Sequence, residues 1–123
     1  MIGKICISLT PFFDSINRRN SFKKRPVLII SEPRNNDYTV LPISTISKKE
    51  NIDSEYDIPI KMIDYPLLNL DKDSYIRTHK QTIVHKATIV EEISDLKQHY
   101  EDLYILVFEK LEQFNNDIIS HAL

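Results

Sequence analysis

The chain has 123 residues, a length that suits one small domain and leaves no room for a second, so we expect a single domain over residues 1–123. Hydrophobic residues make up 41% and charged residues 28%, a globular balance that excludes a disordered chain, and no apolar run is long enough to cross a membrane. The formal net charge of −2 excludes a non-specific DNA coat, because such a coat needs many phosphate contacts.

Two scarce residue types exclude further classes. Gly3 is the only glycine, so neither a P-loop nor a dinucleotide-binding fingerprint can be built, since both need glycines where the backbone approaches phosphate. Cys6 is the only cysteine, and we expect it to be a small buried hydrophobe in a reducing cytosol. The start of the chain has one lysine and no small-residue cleavage site before Phe13, which is not typical of a signal peptide. We therefore expect a cytoplasmic protein.

The first third of the chain predicts three strands. Lys4–Leu9 alternates in polarity and predicts the first strand. Thr10–Lys24 contains several turn formers and predicts a long connection, which in a small domain is usually functional. Pro26–Ser31 is apolar throughout and predicts a strand buried on both faces. Tyr38–Ile43 then predicts the returning strand of a hairpin.

The turn before that returning strand has its own signal. Glu32–Asp37 is rich in turn formers, and Asn35 and Asn36 can take the positive φ that glycine would otherwise supply.

The middle of the chain predicts further short strands. A polar loop at Ser47–Glu55 precedes strands near Tyr56–Ile60, Ser74–Thr78 and Gln81–His85. About six short strands with few helical signals among them favour a small barrel or sandwich.

The C-terminal segment changes to helical spacing. Apolar residues three and four apart predict a helix over Ser94–Phe114, with Ser94 as its N-cap and Asn115–Asn116 at its end. Tyr104, Ile105 and Phe108 widen the apolar stripe, which indicates either a deeper groove in the same domain or contact with a second subunit or partner.

No metal or cofactor is expected. The four histidines lack the spacing of a zinc site, and no G-x-S-x-G or other nucleophile signature occurs. Basic residues instead crowd one segment: Arg18, Arg19, Lys23, Lys24 and Arg25.

Arg25 is the strongest candidate for chemistry. Pro26 biases it toward an extended conformation at the start of a strand, and its guanidinium stays charged and offers forked donors to a phosphate. A solvated basic turn is the alternative. Ser44 and Thr45 end the adjacent strand, where they either satisfy loose backbone groups or bracket a phosphate together with Arg25. A third basic and hydroxyl-rich stretch, Ser74–Lys80, adds to a possible anion site.

Three segments resemble the MazF/PemK/Kid toxins, in the same order and spacing. Lys24–Ser31 resembles their (K/R)RP-(V/A)-L-(V/I) strand, and Val40–Ser44 resembles their V-x-P-(I/L)-(T/S) strand. Asp73–Ile76 with Lys80–Ile83 resembles their S-x-V-x-x-x-(Q/K)-x-x-T-I segment. The chain departs from the family in having Gly3-Lys4 where Gly-Asp is usual, and in lacking glycines in the long loop.

The resemblance implies an α+β fold, a small SH3-like antiparallel β-barrel with a C-terminal helix. It further implies a homodimer that cleaves single-stranded RNA without a metal, by attack of the 2′-OH on the adjacent phosphate, and a cognate antitoxin that covers the same cleft. Arg25 matches the family's catalytic arginine, and Ser44, or Thr45 in a shifted register, matches its catalytic hydroxyl. Unpaired bases stack on aromatic side chains. The predicted RNA-binding residues are Phe13, Arg19, Lys23, Lys24, Arg77, His79 and Lys80. For His79, a plain surface position is the alternative.

Two other functions stay open. A toxin of the same fold that poisons DNA gyrase would act through a tryptophan-containing tail, and this chain has no tryptophan. A barrel that keeps the fold as a binding module without catalysis is the second alternative, because a serine stands where the family has threonine.

Overall fold

Seven antiparallel strands form one curled sheet, a half-barrel, in the computed structural model, which describes residues 1–123. Along the sheet the strands follow the order β4-β5-β3-β2-β1-β7, and β6 pairs with β3 beside that path. The strands are β1 (Lys4–Asp14), β2 (Arg19–Ile29), β3 (Asp37–Ser44), β4 (Asp57–Ile60), β5 (Ser74–Arg77), β6 (Thr82–His85) and β7 (Ile89–Asp95).

A C-terminal helix packs against this sheet. A short helix α1 (Leu96–His99) leads into α2 (Glu101–Ala122), and single 3₁₀ turns occur at Lys49–Asn51, Pro66–Leu68 and Lys86–Thr88. The α+β fold predicted from the sequence is confirmed. None of the helices combines the length and apolar character needed to span a bilayer.

The predicted helix start and end are both wrong. Ser94 lies in β7, which the sequence pattern did not reveal, and its hydroxyl donates to the carbonyl of Leu67. The neighbouring Asp95 is the N-cap, since its carboxylate accepts the backbone N–H of Gln98 at 3.0 Å. The two asparagines do not end the helix, because their low helix propensity costs only about 0.7 kcal/mol each relative to alanine and α2 continues through them.

The predicted long connection at Thr10–Lys24 is also wrong, because β1 and β2 continue through it as a twisted hairpin. Their ladder runs from Ile5 opposite Leu28 to Asp14 opposite Arg19. Aromatic residues favour the strand conformation and outweigh the isolated Pro11 within the ladder. We call this hairpin, residues 10–24, the ribbon.

Asp14 closes the tip of the ribbon. Its carboxylate accepts the backbone N–H groups of Ile16 and Asn17 at 3.0 and 3.1 Å and the side-chain amide of Asn17 at 2.8 Å. These hydrogen bonds, the Asn17 side chain foremost, hold the pKa of Asp14 below its usual value. The turn of residues 15–18 is therefore ordered by a charged acceptor.

The turn between β2 and β3 forms as predicted. Asn35 and Asn36 have φ values of 53° and 68°, in the left-handed region that asparagine tolerates.

Buried residues lie on both faces of the sheet, as the unbroken apolar run of β2 predicts. The larger cluster packs between the sheet and α2, and its members from β1, β2 and β3 are Ile5, Leu28, Leu41 and Ile43. The smaller cluster lies on the opposite face and consists of Cys6, Val27, Ile29 and Val40. Successive strand residues point to opposite faces, so the position of a residue along β2 or β3 determines which face it serves.

The ribbon tip should loosen in acid. Because the pKa of Asp14 is lowered by folding, its stabilisation of the turn is present above the usual aspartate value and is lost as the pH falls through the lower, folded value. Amide hydrogen exchange by NMR, expressed as protection factors, should show protection of Ile16 and Asn17 falling in that range. Asp14→Ala should lack this protection at every pH, and equal protection in wild type and variant would contradict the account.

Candidate functional site

Pro26 ends the ladder between β2 and β3. The N–H of Ile30 donates to the carbonyl of Thr39 at 3.0 Å, and in an antiparallel ladder every second residue along a strand donates to the same neighbour. The donors after Ile30 are therefore Leu28 and then Pro26, but proline has no N–H. The ladder stops one residue earlier, at Val27 opposite Pro42. Beyond that point β2 pairs only with β1.

Pro42 marks a second break, on the other edge of β3. Along that edge β3 pairs with β6 as far as Val40 and with β5 from Ile43 onward, so Pro42 lies where the partner changes. Both edges of β3 thus open around the same point of the sheet.

Two cavities adjoin this opening. Cavity 1, of about 960 Å³, lies between the ribbon and the loop after Leu68, and cavity 2, of about 490 Å³, lies over the face of the smaller cluster. Four residues line both cavities: Arg25, Pro26, Ile43 and Ser44.

Arg25 and Ser44 share one face of the sheet. Val27 lies directly opposite Pro42, so two residues further along each strand Arg25 and Ser44 occupy facing positions. This is the face of the smaller cluster, to which Val27 belongs, and cavity 2 lies there. Thr45 follows the end of β3 and lines cavity 1 alone. Arg25 and Ser44 therefore lie together at both cavities, whereas Thr45 joins them only at cavity 1.

The guanidinium of Arg25 is available to a ligand. The side chain is exposed and makes no ion pair within the protein. A permanently charged fork without an internal partner, at the mouth of a cavity, can bind a phosphate through two donors.

Arg77 also lines cavity 2 but is held by a buried carboxylate. Its Nε lies 3.0 Å from Oδ1 of Asp57, and its Nη2 donates to the carbonyl of Asn51 at 3.1 Å. The side chain of Asp57 is fully buried. The pair fixes the guanidinium in place at the cavity while the carboxylate offsets part of its charge. Lys80 lines the same cavity.

Four of the remaining predicted RNA-binding residues lie on the ribbon. Lys23 and Lys24 line cavity 1, and the ammonium of Lys23 lies 4.6 Å from the ring centre of Phe12. Phe13 and Arg19 are exposed on the ribbon and line neither cavity.

His79 is neither at a cavity nor on the surface. Its side chain is 11% exposed, and its ring packs edge-on against Phe114 of α2, with ring centres 6.1 Å apart. Its Nδ1 lies 3.7 Å from the carboxylate of Asp57 and has no hydrogen-bond partner. The alternative of a surface histidine is thus wrong.

His85 is a cavity 2 residue that sequence reasoning missed. It lines the cavity from the end of β6, and Thr88 follows it in the same lining. No local pattern signals this position, because it depends on a contact between β1 and the 3₁₀ turn after β6.

Cys6 is buried, as expected from the sequence. Burial is the main cause that raises the pKa of its thiol, and the nearby charge of Glu92 adds to it. A thiol that resists ionisation is not a nucleophile at neutral pH. No group of three histidine, cysteine, aspartate or glutamate side chains converges in a way that could hold a metal ion.

A comparison with protein-family profiles identifies the family of the chain. The profile described as PemK-like, MazF-like toxin of type II toxin–antitoxin system matches residues 7–112. The chain belongs to this toxin family. A comparison with curated proteins found no match. The match includes Arg25, Ser44 and both cavities of this PemK-like toxin, whereas the last two to three turns of α2 lie beyond it.

His79 should contribute to the stability of the PemK-like toxin. His79→Ala removes a ring packed against Tyr56 and Phe114 and should lower the free energy of unfolding by about 1–3 kcal/mol, measured by urea denaturation. His99→Ala, on the exposed surface of α1, is the matched control and should change it by less than about 0.5 kcal/mol. Equal effects of the two substitutions would contradict the structural role of His79.

Proposed function

We propose that this toxin is a metal-independent endoribonuclease that cleaves single-stranded RNA. The observation that carries the proposal is the placement of an unpaired guanidinium, Arg25, and a hydroxyl, Ser44, on facing positions at the mouth of cavity 2. Membership of the toxin family supports it.

Cleavage of RNA by its own 2′-oxygen depends more on stabilising negative charge in the transition state than on a strong nucleophile. The 2′-hydroxyl of the RNA loses its proton to solvent and its oxygen attacks the adjacent phosphorus. The bond from phosphorus to the 5′-oxygen breaks, and that oxygen takes up a proton from solvent, so that a 2′,3′-cyclic phosphate and a 5′-OH result. Negative charge grows on the non-bridging oxygens in the transition state. Arg25 would donate its forked N–H groups to these oxygens, and Ser44 would donate its O–H to the same phosphate.

The ribbon offers a surface for unpaired bases. Pro11 lies opposite Phe22 and Phe13 lies opposite Asn20, so Phe13 and Phe22 are diagonal neighbours on one ribbon face. Both rings are about two-thirds exposed. We propose that bases stack on them, while Lys23, Lys24 and Arg19 neutralise the backbone.

Two protein partners follow from the same proposal. A cognate antitoxin with an acidic segment would occupy the basic wall of cavity 1 in place of RNA, because Lys23, Lys24 and Arg25 on that wall attract acidic side chains. A second copy of the chain would cover exposed apolar residues of α2: Ile105, Leu106, Ile118 and Ile119. We also propose that residues 1–123 act as one toxin domain, since the main cluster joins Ile5 to Leu111. The proposed substrate places its action in the cytoplasm, where RNA is present.

Cleavage should depend on Arg25 and not on divalent metal. Purified toxin incubated with a long single-stranded RNA in EDTA should yield fragments with 5′-OH ends, detected by kinase labelling. Arg25→Ala should lower the cleavage rate by roughly 100- to 1,000-fold, because a transition-state donor is lost. Arg34→Ala removes an exposed arginine that lines neither cavity and should cleave at the wild-type rate. Full activity of Arg25→Ala, or no cleavage of any RNA by the wild type, would overturn the proposal.

Ser44 rather than Thr45 should supply the hydroxyl. Ser44→Ala should lower kcat by roughly 10-fold or more with a smaller change in KM, and Ser44→Thr should preserve the rate, because the hydroxyl stays on the face of Arg25. Thr45→Ala is the matched control and should retain most of the activity. A larger loss in Thr45→Ala than in Ser44→Ala would place the reaction in cavity 1.

A further inference from the structure

Cavity 2 contains one histidine, His85, which the proposed mechanism leaves unused. The charged residues of the same lining are Arg25, Arg77 and Lys80. Neither cavity contains another histidine.

His85 is tied to the neighbourhood of Arg25 through two hydroxyl groups. The hydroxyl of Thr88 donates to the carbonyl of His85 at 2.7 Å. Its single proton is then used, so the hydroxyl of Ser8 donates to Thr88 across 3.1 Å. Ser8 is fully buried and lies directly opposite Arg25 in the ladder of β1 and β2. This relay holds the segment after β6 against β1, the strand that pairs with β2 at Arg25.

The protonation of the His85 ring follows from one backbone contact. The N–H of Ala87 donates to Nδ1 of His85 at 3.0 Å. A backbone N–H can only donate, so Nδ1 carries a lone pair and the ring is neutral with its proton on Nε2. The nitrogen that remains free of protein contacts is therefore a hydrogen-bond donor and not a base.

We propose that the neutral His85 ring donates its Nε2 proton to a phosphate oxygen of RNA bound in cavity 2. The inference rests on the proposed function and identifies a substrate-binding residue. Three groups would then surround the backbone of the RNA in this cavity: the free guanidinium of Arg25, the anchored guanidinium of Arg77 and the imidazole of His85. A neutral donor fits beside the cationic groups of Arg25, Arg77 and Lys80 because it adds a hydrogen bond without adding further positive charge.

The test separates a neutral donor from an acid–base group. The terminal amide N–H of glutamine can replace Nε2–H of histidine, but it cannot take up or release a proton in turnover. Binding is measured by fluorescence anisotropy with a single-stranded RNA that carries a 2′-deoxynucleotide at the mapped cleavage position, so that no turnover occurs. The proposal predicts a dissociation constant about 10-fold or more higher for His85→Ala and within about threefold of wild type for His85→Gln.

A control variant and a direct measurement of the protonation of His85 complete the test. His99→Ala should bind like wild type, and circular dichroism should show that each variant is folded. Nitrogen-15 NMR of the imidazole rings should show His85 with its proton on Nε2 both free and bound to RNA. Unchanged binding by His85→Ala, equal weakening by alanine and glutamine, or a proton on Nδ1 would overturn the proposal.

Failure of the proposal for His85 can be distinguished from failure of the proposed nuclease activity. Wild-type toxin that cleaves RNA while the His85 variants bind alike would refute only the role of His85. Wild-type toxin that cleaves no RNA but binds it in a His85-dependent way would refute the nuclease and keep the phosphate contact.

Discussion

A missing hydrogen-bond donor at Pro26 shapes this molecule around its candidate site. The ladder of β2 and β3 requires an N–H at that position, and without one the two strands separate. Arg25 then lies on a strand that is rigidly paired with β1 on one side and open on the other. The sheet fixes the backbone of Arg25, and its exposed side chain remains accessible to a ligand. Pro42 opens the far edge of β3 at the next pair, so cavity 2 forms where both strands lack a donor.

The distribution of charge explains how a protein with a net charge of −2 can present a site for a polyanion. The ribbon places Lys23, Lys24 and Arg25 along one wall of cavity 1, whereas Asp71, Glu91 and Glu92 lie on its other wall. Glu92 is paired with Lys4 at 2.9 Å, which reduces its repulsion of a ligand. In cavity 2 the charged residues are all basic. A phosphate is therefore better accommodated in cavity 2, and the mixed walls of cavity 1 suit a base or a protein segment.

Much of the sheet could be predicted because the residues that determine its strands and turns are neighbours in the sequence. The apolar run of β2 required burial on both faces, and the paired asparagines identified the tight turn after it. The facing positions of Arg25 and Ser44 follow from strand order and register, which three short motifs in a fixed order were enough to suggest.

The features that the sequence did not reveal depend on distant partners. The ribbon forms because residues 10–14 and 19–24 pair with each other, and turn formers within it indicated a loop instead. Ser94 resembles a helix cap, but its hydroxyl is used by Leu67 and its strand pairs with β1. His85 reaches cavity 2 through a contact between Ser8 and Thr88, 80 residues apart in the chain. No window of local sequence contains such a contact.

The proposed function requires that Arg25 and Ser44 bind one and the same phosphodiester. A crystal structure of the toxin with a single-stranded RNA blocked by a 2′-O-methyl group at the cleavage position measures this directly. We expect one phosphate within hydrogen-bond distance, about 2.7–3.2 Å, of both the Arg25 guanidinium and the Ser44 hydroxyl. A phosphate seated against Thr45 in cavity 1, or bound by only one of the two side chains, would contradict it.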